Sequence, residues 1–285
     1  MKEILKNYLP LKLQKFLWAL FCLVRFQPWP KVEKNAYSGD FKSWQDAEKL
    51  CQGYSAPNIL DRVLVSTLKV KSGEAVFERD GLLFDKPQYP WPLISSLLYA
   101  VSKSSGKINV VDFGGSLGSS FFQCRKFLLH LKQNLRWIVV EQPHFVKAGR
   151  KHIADDVLEF TETIEQALNA NSTNILILGS VLQYLPSPRS LLEEHLKYNW
   201  DYVIVDRTPF LIGKAIDRLT IQSVPPSIYS AKYPAWFFNE KTFLNSFIYN
   251  YQMFAEWNSP DKYPIEGANT IFKGFFFQNV SNGKS

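Results

Sequence analysis

A chain of 285 residues, 46% of them hydrophobic, has enough apolar surface to bury a large core, so intrinsic disorder is not expected and an α/β domain of generous size is. Its three cysteines, Cys22, Cys51 and Cys124, stand far apart with neither CxxC nor Cys/His spacing; no disulfide framework or metal site is expected, and the compartment reads as reducing and cytoplasmic. The formal net charge of +7 is placed so unevenly that it implies no basic groove and no nucleic-acid partner.

Residues 1–36 hold seven basic and two acidic side chains, which leaves a net charge of only +2 for the rest of the chain. They also contain Phe16-Leu-Trp-Ala-Leu-Phe-Cys-Leu-Val24, nine apolar residues between Lys15 and Arg25. The run is too short to span a bilayer, which takes roughly 20 residues, and no small-x-small cleavage site follows it. Two readings stay open. One is a helix lying peripherally on the anionic inner face of a membrane, anchored by Phe16, Trp18 and Phe21; the other is a helix packed on the domain.

A helical lobe is expected over 37–106. Ser43 caps a short helix running to 53, and 58–70 places Ile59, Leu60, Val63, Leu64 and Leu68 on one face. The stretch 74–85 reads as a loop or short hairpin turning at Asp80-Gly81, and 91–102 as a helix with Pro92 in its first turn. From 107 to 285 strands alternate with helices, which marks βαβ units and a parallel sheet. Strands are predicted over 108–113, 136–141, 157–161, 174–179 and 202–206, and helices over 119–132, 146–153, 164–170 and 189–197. The segments 251–257 and 270–278 supply two last strands, one of them antiparallel. Between them and the alternating part, about 207–250 reads as an insertion carrying an acceptor site.

The sequence Val110-Val-Asp-Phe-Gly-Gly-Ser-Leu-Gly118 is an apolar strand ending in an acid and a glycine cluster before a helix, where backbone approaches a ligand closely. Gly114, Gly115 and Gly118 permit that approach. Asp112 selects the ligand, because a carboxylate there repels a pyrophosphate and suits the ammonium end of S-adenosylmethionine. The lysine of a phosphate-binding loop is missing, since Ser119-Ser120 follow Gly118. Glu141 ends the next strand twenty-three residues beyond Gly118, close to where a ribose-binding carboxylate belongs; Gln142 adjoins it as a second candidate for the cofactor. A ribose carboxylate serves any adenosine cofactor and does not separate S-adenosylmethionine from NAD. Asp156 beside the third strand offers an acceptor for an adenine amino group, with a solvated turn as the alternative.

Beyond the fourth strand, Ser180, Gln183 and Tyr184 are placed to face the methyl donor and acceptor. Asp206, at the end of the fifth strand, and Tyr184 are candidates beside the transferred methyl, where a hydroxyl acceptor benefits from alignment and a base. Arg207 either pairs with Asp206 in a buried structural pair or binds an anionic sugar or phosphate. Tyr229, Tyr233 and Trp236 offer rings for stacking on a sugar.

In these segments the chain resembles class I S-adenosylmethionine-dependent methyltransferases, and within them a bacterial family associated with surface-polysaccharide and lipopolysaccharide biosynthesis. The resemblance spans roughly residues 37–277. It rests on Gly73-Glu-Ala-Val-Phe-Glu-Arg-Asp80, Asp112-Phe-Gly-Gly-Ser-Leu-Gly118, Trp137-Ile-Val-Val-Glu-Gln-Pro143, Ser180-Val-Leu-Gln-Tyr-Leu185, Asp206-Arg-Thr-Pro-Phe210, Gln222-Ser-Val-Pro-Pro-Ser-Ile-Tyr229 and Tyr233-Pro-Ala-Trp236. Ser116 departs from the broader superfamily, many of whose members have a glycine there. The resemblance implies a Rossmann-like α/β sheet, mostly parallel with one antiparallel strand near the C-terminus, and S-adenosylmethionine as cofactor, but leaves the acceptor undefined; the acceptor expected here is a hydroxyl of a sugar or surface-glycan precursor.

Two rivals stand beside it. An NAD-linked sugar-nucleotide oxidoreductase or epimerase is opposed by Asp112 and by the lack of a Tyr-x-x-x-Lys pair after the central strands. A noncatalytic membrane-associated scaffold with a vestigial cofactor pocket is opposed by the intact Asp112, glycines and Glu141. Oligomeric state stays open.

Overall fold

The computed structural model describes residues 36–51, 57–104, 106–131, 134–226 and 228–281. Of the basic, apolar segment only Ala36 falls among them, so both readings of that segment lie outside the described residues. The first elements are β1 (Tyr37–Phe41), α1 (Trp44–Glu48), α2 (Pro57–Lys71), a hairpin of β2 (Phe77–Arg79) and β3 (Leu82–Phe84), and α3 (Trp91–Lys103). There follow β4 (Lys107–Phe113), α4 (Ser119–Leu128), β5 (Leu135–Val140), α5 (Pro143–Ala148), β6 (Leu158–Thr161), α6 (Ile164–Ala167), β7 (Ser172–Gly179), α7 (Pro188–Leu196) and β8 (Tyr202–Ile212). Last come β9 (Arg218–Val224), β10 (Ala231–Asn239), α8 (Glu240–Leu244), β11 (Tyr251–Asn258) and β12 (Asn269–Asn279).

The main sheet runs β6-β5-β4-β7-β8-β12-β11. Its first five strands are parallel, β12 is antiparallel to β8, and β11 pairs antiparallel with β12. This is a Rossmann-like α/β sheet, mostly parallel, with one reversed strand, β12, toward the end of the chain. Both faces are covered, which is why the strands read as unbroken apolar runs. Val110, Trp137 and Ile175 join one core with Ile59, Val63, Leu93, Leu97 and Phe121 from α2, α3 and α4. Their neighbours Val111, Ile138 and Leu176 join the opposite core with Ile164, Leu192 and Leu196 from α6 and α7, and with Phe243 and Phe247. Each such side chain contributes about 1.5–3 kcal/mol by leaving water. That burial, and not helix propensity, holds a one-turn element such as α6 in place.

The stretch 37–106 contains strands as well as helices. Its hairpin turns at Asp80-Gly81 with φ of +50° and +75°, the left-handed pair a tight turn needs. Ser43 does cap α1, accepting from the Asp46 N–H at 3.2 Å, although the helix stops at Glu48 and not at 53. The larger difference lies after Asp206, where β8 continues to Ile212. Its first half pairs with β7, and Phe210 and Leu211 pair with β10. β10 pairs with β9 and β9 with β1, so a three-stranded branch stands beyond the carboxyl end of β7. The insertion about 207–250 is thus largely strand, and it roofs the carboxyl ends of the parallel strands, where ligands bind in open α/β sheets.

Candidate active site

Those carboxyl ends open into a cavity of about 570 Å³, within the size range of small-molecule sites. One half is lined by Gly114, Gly115 and Ser116 after β4, Ser119, Ser120 and Gln123 of α4, Glu141, Gln142 and Pro143 after β5, Glu162 and Thr163 after β6, and Gly179 and Ser180 after β7. The other half is lined by Tyr37, Arg79, Asp80, Tyr184, Arg207, Gln222, Tyr229, Tyr233, Asp261 and Tyr263.

The glycine loop is packed so that backbone alone can occupy it. A Cβ on Gly114, whose φ is +71°, would sit 2.3 Å from Val181 Cγ2; one on Gly115 would sit 2.6 Å from the Asp112 carboxylate. Ser116, which stands where a glycine is common, adopts φ +56°, a conformation that costs a side-chain-bearing residue on the order of 1 kcal/mol. Asp112 lies beneath the loop, 1% exposed. It accepts from Trp137 Nε1 at 3.3 Å and bonds to the Ser120 side chain. Burial pushes its carboxyl up to about 7; the Trp137 and Ser120 bonds oppose this, and the nearby Glu141 charge adds to it. Glu141 is held by the backbone, its carboxylate accepting from the Ser116 N–H (3.3 Å) and the Gln142 N–H (2.7 Å). Burial raises its pKa against those two bonds.

Among the described residues no lysine or arginine lines this half, while Glu141 and Glu162 do. Against these residues a dinucleotide pyrophosphate would meet carboxylates and no balancing cation. Asp112 itself does not line the cavity but backs the loop and Ser120, which do; a ligand with a cationic group, a ribose and a flat base fits that acid-backed wall, the carboxylate at the end of β5 and the bare loop.

Asp156 is not brought to this site. It is exposed just before β6, whereas the cavity lies at the opposite, carboxyl end of the strands. Glu162 and Thr163, just past that end, line the wall that the sequence reading assigned to it. Gly118 begins α4 at φ +88° and lies behind the loop, facing Leu158. Gln183 is 1% exposed and sits under Ser180, donating from Nε2 to Ser180 Oγ at 2.9 Å.

In the second half, Asp206 and Arg207 do not form the simple pair considered from sequence. The Asp206 carboxylate is enclosed, accepting from Trp257 Nε1 (2.9 Å) and the Arg207 backbone N–H (3.0 Å). It does not line the cavity. Burial raises its pKa, with the Trp257 and Arg207 contacts opposing. Arg207 does line the cavity, at φ +52°, and its guanidinium turns to Asp261, with Nε at 2.9 Å. Arg79 approaches the same carboxylate at 3.9 Å. Burial acts on Arg207 to lower its pKa, but Asp261 outweighs it and holds the group above its ordinary value. Asp261 is correspondingly low, as Arg207 outweighs its burial.

Tyr184 packs edge-on to Tyr233 with ring centres 5.2 Å apart, and the Tyr229 and Tyr233 hydroxyls are 3.4 Å apart. Burial keeps all three phenols above their ordinary pKa, so they remain hydrogen-bonding groups at neutral pH. Trp236, expected here, instead donates to the Leu185 carbonyl at 3.1 Å and does not line the cavity. Arg79, Asp80 and Asp261 were not identified from sequence as site residues. The first two fall in a block notable only for its resemblance, and Asp261 sits in a loop without a motif.

No protein-family model matches the chain, and no curated protein does. Among solved structures it is similar to the N-terminal domain of EvdMO1 in the presence of SAH and D-fucose, with 11% identity, 79% of this chain and 99% of that one covered, and a TM-score of 0.44. A SAM-dependent methyltransferase from Methanosarcina mazei matches with 10% identity over 68% of this chain and 99% of that one, TM-score 0.44. LepI in complex with SAM matches with 13% identity over 78% of this chain, TM-score 0.45, and the chain spans 54% of its length.

Proposed function

We propose that this chain is an S-adenosylmethionine-dependent methyltransferase that acts on a hydroxyl of a sugar or surface-glycan precursor. The observation that carries the cofactor is Asp112, buried under a loop in which Gly114 and Gly115 have no room for a Cβ, behind a half-cavity that no cation lines among the described residues. Gly114–Ser116 and Ser120, the latter backed by Asp112, would hold the cationic end, Glu141 the ribose hydroxyls, and Gln142, Glu162 and Thr163 the base. When bound, the cofactor supplies a sulfonium methyl for in-line displacement by the acceptor oxygen.

The chain's own part is alignment and proton removal. Tyr184, Tyr229 and Tyr233 give a ring-lined wall with neutral hydroxyls, which suits a polyhydroxylated ring. Arg207, fixed through Asp261, orients the acceptor. Asp206 positions Arg207 by holding its strained backbone N–H, and takes no proton from the acceptor because it is sealed from the cavity. That task falls to Asp80, which lines the acceptor half at the tip of the hairpin.

Calorimetric titration with S-adenosylhomocysteine and with NAD, side by side, tests the cofactor. Binding of the first and not the second is expected, and the reverse overturns the reading. A Tyr233→Phe, Gln222→Ala double variant is expected to keep S-adenosylhomocysteine affinity within about twofold while methyl transfer to glycan acceptors falls at least tenfold. Equal loss of both would remove the distinction between a cofactor half and an acceptor half.

A further inference from the structure

The first turn of α4 carries two adjacent hydroxyls, each bonded to a different buried acid. Ser120 bonds to Asp112 from the sheet, and Ser119 donates to Glu78 from the hairpin. Both serines line the main cavity. Glu78 is 1% exposed, its second oxygen accepts from the Gly81 N–H at 3.3 Å, and among the described residues no cation is bonded to it. It lies behind Ser119 at the floor of a smaller cavity of about 180 Å³, which shares Ser119 and Gln123 with the main one. A purely structural role would favour glutamine here, because burying a carboxylate without a cation is expensive.

We propose that Glu78, acting through Ser119, is a second acidic anchor for the cationic aminoacyl end of the cofactor, and that cofactor entry is coupled to proton release from this pair. This rests on the cofactor reading above. With its proton given to Glu78, the Ser119 oxygen presents lone pairs to the cavity, the polarity an ammonium requires. Glu78 is a positioning residue, since it does not itself line the main cavity.

The surroundings of Glu78 allow its proton to respond. Burial raises it to about 7, opposed by the Ser119 bond; Asp80 raises it further, while the Gly81 N–H and Arg79 lower it. From α2, Arg62 packs over Gly81; from α4, Arg125 and Lys126 line the small cavity with Glu78. Asp112 stands on the far side of the same helical turn. A cation arriving at Ser119 favours the charged carboxylate and expels the proton.

The test is calorimetric titration of the full chain with S-adenosylhomocysteine between pH 6 and 8, in buffers of different ionisation enthalpy, so that protons released on binding are counted. At pH 6 the wild-type chain is expected to release more than one proton. Glu78→Gln should remove roughly half of that release, flatten the pH dependence of the affinity and weaken binding about tenfold at pH 8. Ser119→Ala leaves Glu78 in place but cuts its link to the cavity, and should lose the same share. Wild-type proton counts and affinities in both variants overturn the inference. If Glu78→Gln does not fold, Ser119→Ala decides alone. A folded wild-type chain that binds no S-adenosylhomocysteine overturns the cofactor reading itself.

Discussion

Asp112→Asn is expected to abolish cofactor binding while leaving the fold more stable at alkaline pH. The amide keeps the shape and can accept from Trp137 Nε1, but it cannot answer a cation, and removing one partner of a buried charge pair costs about 3–5 kcal/mol. The affinity for S-adenosylhomocysteine should therefore fall at least 100-fold. Stability moves the other way for a definable reason. The native carboxyl titrates at about 7, against about 3.9 in an unfolded chain. Between those values the folded state holds a proton that the unfolded state has lost, so stability declines as pH rises through this window. Asparagine removes the decline. Chemical denaturation at pH 5 and pH 8 should show the wild type losing roughly 2–3 kcal/mol between the two values that the variant does not lose. Wild-type affinity in the variant would remove Asp112 from the site.

Gly114→Ala is expected to damage both binding and folding. Alanine at φ +71° carries a left-handed penalty of about 1–2 kcal/mol, and its Cβ would overlap Val181 Cγ2 at 2.3 Å. Overpacking of this kind adds about 1–3 kcal/mol, so the melting temperature should drop by roughly 5–15 °C. Val181 is itself a cavity wall, and displacing it should weaken S-adenosylhomocysteine at least tenfold. The double variant Gly114→Ala, Val181→Ala separates the two causes, since it relieves the overlap but not the backbone strain. Partial recovery of melting temperature is the expected result. Full recovery would show that the positive φ carries no penalty, and none would show that the overlap does not matter.

The parallel half of the sheet was legible because each of its strands is covered on both faces and so reads as an apolar run between glycine or proline signals. The strand-end positions of Asp112, the glycines and Glu141 were legible for a related reason: they stand at fixed distances from strand ends, and strand ends are where the chain is best located. The other half of the cavity was not. β9 and β10 are strands by virtue of pairing with each other and with β1, from the opposite end of the chain. Pro234 within β10 argues locally against a strand interior, and tertiary pairing overrides it. Asp156 failed on direction, since an acid just before β6 and one just after it look alike in sequence, and only the latter reaches the carboxyl edge. The Arg79–Asp261–Arg207 cluster draws one residue from each of three distant segments, so no spacing rule could assemble it.

The place of β12 between β8 and β11 has a consequence for how the protein is made. During synthesis β8 emerges with one long edge open, and its partner comes only after the intervening roof and β11 have been translated. At about 5–20 residues per second that edge waits on the order of 3–10 s. β8 is apolar through Tyr202–Val205 and again through Pro209–Ile212, and an exposed edge with such runs is a template for wrong pairing. The nascent chain is thus most vulnerable to aggregation after the parallel half of the sheet is complete in sequence and before β12 closes it, which makes a strand near the end of the chain the guardian of its middle.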